Sequence, residues 1–238
     1  MTRLKVTALI AGAGRSQRMG KVNKILVDLG GMPVIERTVR ALAETGRIDH
    51  HILLVREEDL DRVNEEILPG LVENFPDQTF ALVQGGEERM DTIRKALDAL
   101  DDDTDLVLIQ DGARPFLDPD LVEGGLDRME AEDLDGCIAA VPVTDTIKRV
   151  NDRGEIRETP DRAQLYRAQT PQIFRKEALL AAYDKPLAEG ERVTDDAQML
   201  ERIGRKVAIY PGHGQNIKLT RPEDLAYGRY LLMEDTHE

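Results

Sequence analysis

Short apolar, β-branched runs alternate along the chain with longer segments whose apolar positions recur at helical spacing. That is the pattern of a parallel sheet covered by helices. Residues 5–10 read as the first strand and run into Ala11-Gly12-Ala13-Gly14. Over 33–43, Val34, Ile35, Val39 and Leu42 share one helical face. Further strands are predicted over 51–55, 80–83, 106–109, 136–141 and 207–210. Helices are predicted over 59–68, ending near Pro69-Gly70, and over 91–100, 176–188, 195–203 and 222–233, the last with Pro222 in its first turn. Residues 106–109 are wholly apolar, as a central strand buried on both faces requires.

One stretch breaks the alternation. Residues 146–150 and 155–159 alternate on either side of Asn151-Asp152-Arg153-Gly154, which is a hairpin signal. Lys148, Arg149, Arg153 and Arg157 leave it few apolar residues, so it is expected to project as an arm, and a projecting arm needs a partner surface. No repeat, low-complexity tract or linker interrupts the series. The expectation is therefore one domain over 1–238: an open, mostly parallel α/β sheet with helices on both faces, with residues 142–163 as a β-arm.

Composition narrows the function classes. The chain has 238 residues, 41% of them hydrophobic, enough for a sizeable core. Asp and Glu number 46 against 32 Lys and Arg, a formal net charge of -14. This excludes a broad nucleic-acid surface, which needs a net basic face. A small anionic substrate is still compatible, provided the cations are concentrated. A single cysteine, Cys137, excludes an internal disulfide framework, and four histidines with one cysteine cannot build a structural zinc site of the usual spacing. The apolar run after Lys5 is about six residues, shorter than a signal-peptide core or a membrane span. The expectations are a reduced, cytoplasmic setting and no membrane partner.

Candidate chemistry begins in the loop after the first strand. Gly12, Ala13 and Gly14 are followed by Arg15, Arg18, Lys21 and Lys24. A glycine-rich turn at a strand end lets backbone N–H groups approach phosphate, and the cations can add charge-assisted contacts. Two standard loops fail here. Five residues separate Gly14 from Gly20-Lys21, and Val22 follows, so this is not a P-loop. Gln17 stands where the dinucleotide fingerprint needs its third glycine. Taken alone, the loop also reads as a solvated basic turn.

A second site lies at the end of the apolar strand, in Asp111-Gly112-Ala113-Arg114-Pro115, where open α/β sheets bind ligands. Asp111 can bind a substrate hydroxyl or a divalent ion and Arg114 a phosphate or ribose; the plainer reading is an Asp–Arg pair that organises the turn. Gly85-Gly86-Glu87-Glu88-Arg89 follows another strand, with Thr92 in the next helix. It can read a base or sugar, or be a simple turn with a cap. Lys218 precedes the last helix and Thr194-Asp195-Asp196 opens another; capping alone accounts for both.

Taken in order, these segments resemble the 2-C-methyl-D-erythritol 4-phosphate cytidylyltransferase family. The resemblance runs nearly end to end. It is carried by the first loop with Arg18-Met19 and Lys24, by Gly85 to Arg89, by Asp111 with Ala113-Arg114-Pro115, and by Pro142-Val143 with Asp145-Thr146-Ile147-Lys148. Asp161-Arg162, Thr170-Pro171-Gln172, Thr194-Asp195 and Asn216-Ile217-Lys218 with Thr220-Arg221-Pro222-Glu223-Asp224 complete it. Three positions depart from the family pattern: Ser16 replaces a second glycine, Thr92 a serine, and Gly112 an alanine.

The resemblance implies a Rossmann-like fold and transfer of CMP from CTP to 2-C-methyl-D-erythritol 4-phosphate, in non-mevalonate isoprenoid precursor biosynthesis. The products would be 4-diphosphocytidyl-2-C-methyl-D-erythritol and pyrophosphate. It places the nucleotide against Gly12, Ala13, Gly14, Gly86, Glu87 and Thr92, and the triphosphate on Arg18, Lys24 and Lys218. The acceptor falls to Asp111, Arg114, Thr146 and Thr170, with Arg162 reaching in from the arm of a second subunit of a homodimer. Mg²⁺ is the implied cofactor, with Asp111 a candidate ligand. Two other readings share the loop chemistry: a cytidylyltransferase for a pentitol phosphate such as ribitol 5-phosphate, and a nucleotide-binding regulator without catalysis.

Overall fold

The computed structural model describes residues 3–14, 23–86, 88–187 and 193–235. Seven strands form one sheet in the order β3-β2-β1-β4-β8-β5-β9. They are β1 (Val6–Ala11), β2 (His50–Val55), β3 (Thr79–Gln84), β4 (Leu106–Asp111), β5 (Gly136–Pro142), β8 (Tyr166–Arg175) and β9 (Val207–Pro211). The pairings β1–β2, β1–β4, β2–β3 and β5–β9 are parallel, and β8 runs antiparallel between β4 and β5. The expected mostly parallel sheet is thus present.

Helices cover both faces because successive side chains of a buried strand point to opposite sides. Leu106 and Leu108 of β4 face a cluster built with α1 (Val34–Glu44), α2 (Leu60–Glu66), α3 (Leu68–Asn74) and α5 (Pro119–Ala131). Val107 and Ile109 face a second cluster with α4 (Arg89–Leu97), α6 (Lys176–Asp184) and α7 (Asp196–Glu201). A third, small cluster of Leu29, Val34 and Leu219 seats Leu225 and Leu232 of α8 (Pro222–Asp235).

Several sequence expectations are corrected. The helix expected over 59–68 is two helices, because Pro69 does not end the segment. It sits in the first turn of α3, where its missing N–H costs no helical bond. Helix α6 stops at Asp184, two residues before Pro186, which disfavours helical backbone in the residue it follows; Ala188, its expected end, lies outside the described residues. Helix α5 stands outside the sequence expectation, although Asp118 caps it by accepting from Asp120 N at 2.9 Å and Leu121, Val122, Leu126 and Met129 are buried.

Strand β8 also stands outside the sequence expectation, and Pro171 within it is unusual for a central strand. The fold accommodates Pro171 by a break in register: Ile138 pairs with Gln172, but Ala140 pairs with Ala168. Between those pairs Gln169 to Pro171 of β8 stand opposite Ala139 alone, and such bulges redirect side chains next to sites.

The hairpin is present as a separate two-stranded sheet, β6 (Arg149–Val150) with β7 (Ile156–Glu158). Its strands are shorter than the expected 146–150 and 155–159. Asn151 closes the turn by accepting from Arg153 N at 3.1 Å and Glu155 N at 2.9 Å, and Gly154 takes φ 78°. Val150 and Ile156 are exposed, which fits an arm that contributes nothing to the core.

Candidate active site

The chain runs outward from β1 through β2 to β3, then returns to place β4 on the other side of β1. The gap between β1 and β4 is therefore a topological switch point, and ligands of open α/β sheets bind beyond the carboxyl ends of strands there. Ala11 pairs with Asp111 in that register, and Gly112 N donates to Ala11 O at 3.0 Å. The first loop and the Asp111 turn are thereby joined at one sheet edge.

Close backbone approach explains the glycines. A Cβ at Gly12 would lie 2.9 Å from Ile25 Cδ1 and 3.0 Å from Leu54 O, and one at Gly85 would lie 2.2 Å from Ala13 Cβ. Loop 12–14 and loop 85–86 therefore touch through atoms that leave no room for a side chain. Thr92 is 3% exposed, and its hydroxyl accepts from Gly86 N at 3.0 Å and donates to Glu88 O at 2.9 Å. Its observed contacts hold the 85–86 turn in place.

Two lysines converge on this cleft from different elements. Lys24 begins a short 3-10 turn held by buried Ile25 and Leu26 and capped by Asn23. Lys218 sits between Asn216 and Leu219, both fully buried. Asn216 Nδ2 donates to Thr170 O at 2.8 Å, Leu219 N to Ala113 O at 2.8 Å, and Arg114 Nη1 to Asn216 O at 2.6 Å. Lys24, Lys218, Gly12, Ala13, Gly14, Thr92 and Asp111 all line the cleft. Arg114 and Thr170 line an adjoining recess that shares Asp111 and Lys218.

Asp111 is the centre of charge. Its Oδ1 lies 2.8 Å from Arg89 Nη1 and 3.0 Å from Lys218 Nζ, its Oδ2 lies 3.1 Å from Arg114 Nε, and its N–H donates to Thr170 Oγ1 at 3.1 Å. Burial opposes its ionisation, but Lys218, Arg89 and Arg114 outweigh burial and hold the carboxyl well below the usual carboxylate range. Arg114 organises the turn through Asp111, as the plainer sequence reading has it, and both residues also line the recess.

Sequence reasoning missed three members of this cluster. Arg89 also reaches Asp196 Oδ2, through Nη2 at 2.6 Å and Nε at 3.2 Å, and Tyr183 Oη donates to Asp196 Oδ1 at 2.6 Å. The signal at Asp196 was masked by its neighbours, which do cap α7: Asp195 Oδ1 accepts from Gln198 N at 3.1 Å. Arg18, Glu87, Arg15, Ser16 and Lys21 lie outside the described residues. Gly86 lines a neighbouring recess that shares Ala13 with the cleft. Thr146 and Arg162 lie on the exposed arm, where Arg162 Nη1 donates to Thr144 O at 2.8 Å; among the described lining residues of the cleft and its recess, neither appears.

Glycine-tight loops at a switch point, with lysines from two directions beside a buried carboxylate, make a cleft suited to a phosphorylated ligand. The family model described as 2-C-methyl-D-erythritol 4-phosphate cytidylyltransferase matches residues 6–234. A protein of that name from Alkaliphilus oremlandii is 38% identical over 229 residues, covering 96% of this chain and 95% of its own. One from Dehalococcoides mccartyi is 40% identical over 230 residues, covering 96% of each. The crystal structure of a 4-diphosphocytidyl-2C-methyl-D-erythritol synthase from Anaerococcus prevotii superposes with a TM-score of 0.84 at 30% identity, over 98% of this chain and 100% of that one. The chain belongs to the 2-C-methyl-D-erythritol 4-phosphate cytidylyltransferase family.

Proposed function

We propose that this enzyme moves CMP from CTP to 2-C-methyl-D-erythritol 4-phosphate, releasing pyrophosphate and forming 4-diphosphocytidyl-2-C-methyl-D-erythritol. The observation that carries the reading is the convergence of Lys24 and Lys218 on the glycine-lined cleft beside Asp111. A phosphate oxygen of the acceptor attacks the α-phosphorus of CTP in line. The bond from that phosphorus to the bridging oxygen breaks, and pyrophosphate leaves with the electron pair. An acceptor phosphate is already ionised at neutral pH, so no general base is required. The protein's task is to align two polyanions and to meet charge developing on the α- and β-phosphates.

Each residue has a part in this reading. Backbone at Gly12, Ala13, Gly14, Gly86 and Glu87 contacts base and ribose, with Thr92 holding the turn. Lys24, Lys218 and Arg18 bind the triphosphate. Asp111, Arg114 and Thr170 bind the acceptor, and Thr146 and Arg162 complete that site from the arm of a second subunit. Exposed apolar Ile147, Val150 and Ile156 on the arm favour such a homodimer, because they gain a cover only from a second surface.

Asp111 is the single carboxylate among the described residues lining the loop side of the cleft, and no group of three metal-ligating side chains occurs among the described residues. Both oxygens of Asp111 are engaged by Arg89, Lys218 and Arg114, so Mg²⁺ would be carried largely by the nucleotide phosphates, with Asp111 a ligand only where Lys218 has left it, and would neutralise phosphate charge. No described helix is long and apolar enough to cross a membrane, and a lone, buried Cys137 suits a cytoplasmic setting.

The test is pyrophosphate release with Mg²⁺, CTP and methylerythritol phosphate. Turnover that depends on both substrates is expected. Faster turnover with ribitol 5-phosphate, or CTP binding without turnover on either acceptor, overturns the assignment.

A further inference from the structure

Asp111 shares one oxygen between two cations, and those cations are held very differently. Arg89 is clamped at its far side by Asp196, whose side chain is 2% exposed, while the Lys218 side chain is 38% exposed. Asp196 is in turn held by the Tyr183 hydroxyl at 2.6 Å. These residues come from the starts of α4 and α7 and from α6, and they meet behind the end of β4. We propose that Tyr183, Asp196 and Arg89 form a positioning chain that keeps Asp111 in its acceptor-binding place when Lys218 leaves it for the triphosphate. This inference rests on the reading of the site given above.

Charge arithmetic supports it. Asp111 and Asp196 face Arg89, Arg114 and Lys218, which is two negative groups against three positive. Removing Lys218 from the cluster leaves two against two, so the carboxylate of Asp111 remains balanced and doubly held. Without the anchored arginine, the same movement leaves Asp111 with Arg114 alone. An arginine is needed because one planar guanidinium can face two carboxylates with separate N–H edges, which an ammonium does poorly. Burial pushes the Tyr183 hydroxyl up, and the adjacent Asp196 carboxylate adds to this, so the tyrosine stays a proton donor at working pH.

The experiment compares Asp196→Asn and the milder Tyr183→Phe with wild type, varying CTP and acceptor separately and recording thermal stability. Losing one charged partner of a buried hydrogen bond should raise the acceptor KM about tenfold for Asp196→Asn and about threefold for Tyr183→Phe, with the CTP KM nearly unchanged. In an Asp111→Asn background the effect of Asp196→Asn on the acceptor should shrink to less than about twofold, because the chain acts through Asp111. Equal rises in both KM values, an undiminished effect in that background, or lowered stability without the acceptor split would each overturn the proposal. A crystal structure of Asp196→Asn with CTP bound, so that Lys218 is drawn to the triphosphate, reads it independently of turnover, and so separates its failure from failure of the assigned reaction. Asp111 displaced from the place it holds in CTP-bound wild type supports the chain, and an Asp111 unmoved with Lys218 on the triphosphate refutes it.

Discussion

Lys218 Nζ lies 3.0 Å from Asp111 Oδ1, so the lysine assigned to the triphosphate and the carboxylate assigned to the acceptor are paired with each other across the cleft. One contact thus links the two substrate sites. Lys218→Gln removes a cation aimed at developing phosphate charge, and such losses lower kcat by about 10²–10³. Steady-state pyrophosphate release measures it, and a fall confined to KM would instead make Lys218 a binding residue only.

Asp111 holds together a cluster that repels itself without it. Asp111→Asn leaves Arg89, Arg114 and Lys218 facing one neutral amide, and breaking a buried ion pair on one side costs about 3 kcal/mol. Urea unfolding at neutral pH should show that loss. Because the folded carboxyl lies well below its unfolded value, its contribution is complete above the ordinary carboxylate range and fades as pH falls through and below it. The variant should therefore lack this part of the wild-type acid sensitivity.

Gly85 is where the two nucleotide-side loops touch. An added Cβ would sit 2.2 Å from Ala13 Cβ and 3.2 Å from Thr92 Cγ2, so Gly85→Ala must separate the loops. The CTP KM is expected to rise about tenfold, equivalent to one misplaced charge-assisted contact, while the acceptor KM changes little. A uniform loss of stability with both KM values intact would show that the loop contact is not part of nucleotide binding.

A separate pH dependence comes from His51, far along the sheet from the chemistry. Its Nε2 lies 2.7 Å from Gln78 Oε1 and its ring stacks on Phe80 at 4.8 Å. Burial, assisted by neighbouring His50, lowers its pKa from the ordinary 6.5 to about 4, against the opposing Gln78 bond. Above 6.5 neither state is protonated there. Below it, the unfolded chain takes up a proton that the folded chain refuses, so stability falls between pH 6.5 and 4 and then levels. At about 1.4 kcal/mol per pH unit, wild type should lose about 2 kcal/mol more than His51→Gln between pH 7 and 5. Denaturant titrations at the two pH values decide it.

The arm makes a prediction about subunit mixing. Arg162→Ala and Lys24→Ala each spoil a site, but in a mixed dimer with arms acting across the interface, one site carries both lesions and the other neither. Activity should reappear on mixing. Its absence from mixed dimers verified by mass would mean that Arg162 serves its own subunit or no site.

The alternation of apolar runs and helical spacing was enough to read the parallel sheet, the covering helices and the exposed hairpin, because burial imposes a period of 2 or 3.6 on each segment by itself. Asp111 was legible for the same reason: it stands where a wholly apolar strand ends. Helix α5 carries its cap, Asp118, and its apolar face, Leu121, Val122, Leu126 and Met129, within one local segment, so its signal too is legible without the tertiary structure. Strand β8 was hidden by Pro171 and by polar Gln169 and Gln172, whose polar groups find partners on other elements, such as Asp195, 3.0 Å from Gln172 Nε2, and His213 O, 2.9 Å from Gln169 Nε2.

The sequence by itself determined the class of fold, the loops at the strand ends and the family. Tertiary structure alone decided that Arg89 would meet Asp196, 107 positions away, and that Lys218 would close on Asp111. Local periodicity reports which side of an element is buried. It carries no information about which buried charge lies opposite, because that choice is made by the crossing of elements in space, where an unpaired charge is too costly to keep.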